Sequence, residues 1–225
     1  MKRITVLLAE DHMVVREGFR KLLEMEDDLE VVGEAEDGRR AVALVKKLRP
    51  AVVVMDVAMP LLNGLEAARQ ILQAVPSTRI LILSSHTDDA YIKDATQSGA
   101  VGFLLKQASA HDLSKGIREV NKGNVFFGPF IKKRLPEDER KSFDRSGRPK
   151  PRHARLTSRE MEVLQLVAEG KVNKETAAEL GIGIKTVESH REHLMDKLNI
   201  HDTAGLTRYA ISAGIVESSV QLTIL

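Results

Sequence analysis

The chain has 225 residues, 43% hydrophobic and 29% charged, enough apolar material for one large or two ordinary globular domains. It contains no cysteine, which excludes disulfides and thiolate zinc sites. The net charge of +2 is unevenly placed: cationic against acidic side chains number 17 to 18 in residues 1–130, ten to four in 131–155, and seven to ten in 156–225.

In chain order, apolar runs at 4–8, 30–33, 52–55, 79–83 and 102–105 predict five strands. The first run ends at Glu10-Asp11, too early for a secretory signal. No stretch reaches the roughly 18 apolar residues of a membrane span, so a cytoplasmic protein without membrane contact is expected. Helical spacing follows each strand, at 14–25, 39–47, 65–74, 90–97 and 110–121, with Ser109 and Asp112 as a capping signal for the last. Five strand–helix units predict an α/β domain: a doubly wound, five-stranded parallel sheet in the flavodoxin-like order 2-1-3-4-5.

Residues 131–153 are charged, carry three prolines and a glycine, and lack apolar periodicity, which is linker composition. From Leu156 onward only helical patterns occur, at 159–168, 174–180, 185–198 and 203–213. Thr157 to Glu160 forms a capping box, and the turn Leu180-Gly181-Ile182-Gly183 joins two helices as in a helix-turn-helix. The expected organisation is an α/β domain over 1–125, a basic linker over 126–153, and an all-α, four-helix domain over 154–225.

In VVVMDVAMP, residues 52–60, the acid Asp56 closes a buried strand, where it either caps the following turn or does chemistry. In a doubly wound sheet, ligands bind beyond the carboxyl ends of the strands where their order reverses, here between strands 1 and 3. That topology brings Glu10 and Asp11 from strand 1 to Asp56 from strand 3. Three close carboxylates require a cation, and hard oxygen ligands suit Mg²⁺ with a phosphate. The fourth and fifth strands deliver Ser84 and Lys106 to the same edge.

These residues, with Met59-Pro60, Gly64 and Phe103, resemble the receiver domain of bacterial two-component response regulators. The resemblance implies that Asp56 accepts a phosphoryl group from a sensor histidine kinase. It further implies that Mg²⁺ is held by Asp11, Asp56 and the backbone carbonyl of Ala58, with Glu10 acting mostly through a water. Ser84 and Lys106 would meet the phosphoryl oxygens, and Phe103 holds the aromatic switch position, expected to turn inward on phosphorylation. The stretch 156–200 resembles the LuxR-type helix-turn-helix domain, so the whole chain looks like a response regulator of the NarL/FixJ type. That implies binding to double-stranded promoter DNA. Lys174, Lys185, Thr186, Glu188, Ser189, His190, Arg191 and Glu192 form the DNA-facing set, while Val187, Leu194 and Leu198 pack inward.

Three departures stand out. Val172 replaces a usual serine, which shifts the expected cap of the second helix to Asn173; Gly183 and Ile184 precede the third helix without a polar cap; and the domain is acidic overall. The basic linker would add grip on phosphates. The fourth helix, with Ala204, Leu206, Ala210 and Ile211, is expected either to pair two copies on phosphorylation or DNA, or to pack within its own domain. Two rival functions remain at this point. An aspartyl enzyme would need a second carboxylate two residues after Asp56, where Ala58 stands. A regulator acting through protein contacts alone would suit the acidic C-terminal part.

Overall fold

The computed structural model describes residues 3–85, 98–134 and 156–216, and divides the chain into two compact units, Met1–His153 and Ala154–Leu225. The helix expected over 90–97 and the linker segment 135–153 lie outside the described residues.

In the first unit, strands β1 (Ile4–Ala9), β2 (Leu29–Ala35), β3 (Val52–Asp56), β4 (Arg79–Ser84), β5 (Gly102–Leu105) and β6 (Phe126–Phe127) form one parallel sheet in the order β2-β1-β3-β4-β5-β6. Successive side chains of a strand point to opposite faces, and here both faces are buried. Leu7, Val53, Met55, Ile80 and Ile82 share one core with Ala41 and Val45 of α2 (Gly38–Leu48) and Ala67 and Ile71 of α3 (Gly64–Ala74). Val6, Leu8, Val52, Val54 and Leu81 share the other with Leu23 of α1 (Met13–Glu24) and Leu113, Ile117 and Val120 of α4 (Ala110–Asn121). Burial on both faces is why the strands read as unbroken apolar runs.

Short polar residues start the helices. The side-chain oxygens of Asp37, Asn63 and Ser109 accept from the backbone N–H of Arg40, Glu66 and Asp112 at 2.7, 3.0 and 3.1 Å, so the expected Ser109–Asp112 cap is present.

The sheet has six strands rather than five, and residues 126–134, expected to be linker, are part of this unit. Phe126 N–H donates to Val101 O and Gly128 N–H to Phe103 O, both at 2.8 Å, zipping β6 onto β5. A short helix, α5 (Pro129–Arg134), follows and buries Ile131 to 3% exposure in the first core. The apolar side chains Phe126, Phe127 and Ile131 gain more by covering the end of the sheet than by standing in water.

The second unit is α6 (Ser158–Ala168), α7 (Asn173–Leu180), α8 (Ile184–Leu198) and α9 (Thr203–Ser212). Its core holds Val163, Leu164 and Val167 of α6, Val187 and Leu194 of α8, and Leu206 and Ala210 of α9, all buried; Leu198 is half-buried. The Thr157–Glu160 capping box forms with both hydrogen bonds, at 3.3 and 2.7 Å. Glu160 also receives Lys197 Nζ at 2.7 Å, tying the start of α6 to the end of α8. Burial opposes the Glu160 charge, but Lys197 and the Thr157 N–H outweigh it and hold the carboxyl below its usual range.

Asn173 does not cap α7. Val172 occupies that position and offers no acceptor, so only the Glu175 carboxylate, which accepts the Val172 N–H at 3.0 Å, is in place. Gly181 ends α7 with φ of 63°, and Gly183 starts α8 in an extended conformation, as expected of a glycine cap. Among the described residues, no helix is long and apolar enough to cross a membrane.

Candidate functional site

Strand order reverses around β1, so Glu10 and Asp11, just past β1, and Asp56, the last residue of β3, meet at the carboxyl edge of the sheet. Ser84 ends β4, one residue beyond the Leu83 that pairs with Asp56, and Lys106 N–H donates to Ser84 O at 2.9 Å. The register of four parallel strands thus delivers the expected residues to one crevice.

Glu10 and Asp56 are each only 2% exposed. Lys106 Nζ stands between them, 2.8 Å from Glu10 Oε2 and 2.9 Å from Asp56 Oδ2. Asp56 Oδ1 accepts the Val57 N–H at 2.8 Å. Asp56 Oδ2 and Glu10 Oε2 are held only by ionic contact with Lys106, and Asp11 Oδ1 only by contact with His12. Burial, reinforced by the Glu10 charge, pushes the Asp56 carboxyl up to about 7, against the pull of Lys106. Burial works against the Lys106 ammonium, yet Asp56 and Glu10 more than compensate and raise its affinity for the proton.

Glu10 and Asp56 converge on one lysine, with the Asp11 carboxylate beside Glu10, and such an excess of negative charge with oxygen donors fits a hard cation. Glu10, Asp11 and His12 each offer a ligand atom within 4.8 Å of the others, a group able to hold a metal ion. Ala58, whose carbonyl is the expected fourth contributor, is buried beside Asp56.

The loop after Asp56 is tightly drawn. Gly64 N–H donates to Val57 O at 2.7 Å, and a Cβ on Gly64 would lie 1.8 Å from the Asp56 carbonyl oxygen. Only glycine allows that approach. Leu61, in the same loop, has φ of 66°, a left-handed conformation that costs a leucine and is held by its surroundings.

Phe103 is not poised to turn inward. It is already 2% exposed, its ring stacked on Phe127 with centroids 5.4 Å apart and planes at 13°. The β6 strand, unforeseen from sequence, supplies that partner.

On the helical unit, Lys174 of α7 and Lys185, Thr186, Glu188, Ser189 and Glu192 of α8 are exposed on one side, opposite the buried Val187 and Leu194. His190 is half-buried. Arg191 is half-buried too, and its guanidinium is engaged within the domain, with Nη1 donating to Asn173 Oδ1 at 3.1 Å and Nη2 to Thr203 Oγ1 at 2.5 Å. In α9, Leu206 and Ala210 are used by the domain's own core, while Ala204 and Ile211 remain exposed.

The two units match two known families: the response regulator receiver domain over residues 6–118, and the bacterial regulatory proteins of the luxR family over residues 154–210. The chain belongs to the response regulators of the NarL/FixJ type. This response regulator is 36% identical to the transcriptional regulatory protein DegU of Brevibacillus brevis, covering 96% of both chains. It is 38% identical to the transcriptional regulatory protein LiaR of Bacillus subtilis, over 92% of this chain and 96% of that one. Among solved structures, RcsB of Salmonella typhimurium matches at 31% identity with a TM-score of 0.62, over 95% and 99% of the two chains. RcsB solved in complex with DNA matches at 31% identity with a TM-score of 0.57, over 94% and 99%.

Two site features of this response regulator escaped the sequence reading. His12 Nδ1 lies 2.9 Å from Asp11 Oδ1 and 3.1 Å from Glu10 Oε1, and Asp11, followed by Glu10, raises its proton affinity. A histidine directly after the acidic pair was the available signal. The expected topology put Glu10 and Lys106 at one edge, but not their direct contact, between residues 96 apart.

Proposed function

We propose that this response regulator is switched by phosphorylation of Asp56 and acts by binding promoter DNA through its C-terminal domain. The observation that carries the reading is the trio of buried Glu10 and Asp56 with half-buried Lys106, in which one Asp56 oxygen is fixed by the Val57 N–H while Oδ2 faces the Lys106 ammonium at 2.9 Å. That oxygen attacks phosphorus, and the bond to the donor nitrogen of a phosphohistidine breaks, with its electron pair returning to the imidazole. Lys106 neutralises charge on the phosphoryl oxygens, and the Ser84 hydroxyl, at the end of β4, binds one of them.

Asp11, Asp56 and the Ala58 carbonyl would hold Mg²⁺, which Glu10 would support through a water, and the ion would neutralise charge on the phosphoryl group. Four apolar side chains exposed along α1 and at its C-terminal cap (Met13, Val14, Leu22 and Met25), beginning two residues after Asp11, support docking of a protein partner, here the sensor histidine kinase. The absence of a carboxylate at Ala58 supports a protein that takes one phosphoryl group and does not turn over small substrates. Exposed Ala204 and Ile211 on α9 support pairing of two copies on DNA.

The test combines acetyl phosphate and Mg²⁺ with the full chain. A mass gain of one phosphoryl group is expected for the wild type and none for Asp56→Asn, and the wild type alone gains affinity for duplex DNA. A phosphorylated Asp56→Asn protein, or DNA affinity indifferent to the donor, overturns the reading.

A further inference from the structure

The DNA-facing side of α8 carries two carboxylates that phosphate binding does not explain. Glu188 and Glu192 are one turn apart and exposed, and among the described residues neither has a hydrogen-bond or ion-pair partner. Arg191, next to Glu192, is committed to Asn173 and Thr203, and Lys185, three residues before Glu188, is exposed and makes no ion pair with it. Like charges four residues apart repel each other on a helix. Both carboxylates are repelled again by the phosphate backbone, which supplies most of the affinity of a DNA-binding protein. The domain holds them nonetheless on the face left outward by the buried Val187 and Leu194.

In the major groove one partner suits such a group. Cytosine presents an exocyclic N4 amino donor there, which a carboxylate accepts. Adenine sets an N7 acceptor beside its N6 amino group, a pattern matched by an amide and not by a carboxylate. Guanine and thymine offer acceptors or a methyl group.

We propose that Glu188 and Glu192 are specificity residues that read cytosine N4 amino groups, so that this regulator selects half-sites with cytosine at two fixed positions. This rests on the DNA-binding reading above. The two side chains are about 6 Å apart along the helix axis, which corresponds to roughly two base steps.

The test is selection from a pool of duplexes randomised over a central segment, using the phosphorylated full-length wild type, Glu188→Ala, Glu188→Gln and Glu192→Ala. The wild type is expected to enrich half-sites with two conserved cytosines. Each alanine variant is expected to lose about tenfold or more of the preference at one of those positions. In Glu188→Gln that position is expected to move from cytosine to adenine. Alanine variants that keep the wild-type preferences and bind every duplex more tightly overturn the inference, because the carboxylates then only repel the backbone. A wild type that enriches half-sites without those cytosines also overturns it and leaves DNA binding standing. A wild type that enriches no sequence overturns the DNA-binding reading itself.

Discussion

Asp56 shows how a buried residue couples chemistry to stability. Its carboxyl, pushed up to about 7 from an ordinary 3.8, binds its proton more tightly in the folded than in the unfolded chain. The folded state therefore loses stability as pH rises from about 4 to about 7, and carries the full penalty above that. Asp56→Asn removes the group. Without metal, variant and wild type are expected to feel this effect equally near pH 4. Toward pH 8 the variant is expected to become the more stable by on the order of a few kcal/mol. Urea unfolding in chelator across that range measures the gap, and a wild type more stable than the variant at pH 8 contradicts the account. The same physics makes the site receptive to a cation, which relieves the crowding that the proton relieves at low pH.

At the scale of elements, most of the architecture was legible because buried parallel strands and amphipathic helices leave different periods in the sequence. The residues closing each β–α junction, Glu10, Asp56, Ser84 and Lys106, could be placed together from topology alone. What escaped were features without a period. The strand Phe126–Phe127 spans two residues, too few to alternate, and the Gly128-Pro129 that follows reads as punctuation. The start of α7 escaped for another reason. Asn173 is a good cap by residue type, but its side chain accepts from Arg191 and leaves Val172 in the capping position. Val172→Ser is therefore expected to stabilise the helical unit by about 0.5–1 kcal/mol. Thermal unfolding of the full chain tests this, and an unchanged or lowered midpoint contradicts it.

For the whole molecule, the reassignment of residues 126–134 changes where the first domain ends. Ile131 is buried with Phe103, and Phe127 stacks on that same ring. Ile131→Ala is expected to destabilise the N-terminal unit by about 2 kcal/mol or more, as for a core isoleucine. Were this segment a free linker, the change would cost nothing, and denaturant unfolding separates the two. The Glu10–Lys106 clasp has a consequence in time. It joins the end of the first strand to a residue just past the fifth, so it closes only after the intervening crossovers have been laid down. On the proposed phosphorylation of Asp56, a nascent or partly unfolded copy lacking that closure is expected not to accept the phosphoryl group until its N-terminal fold is complete.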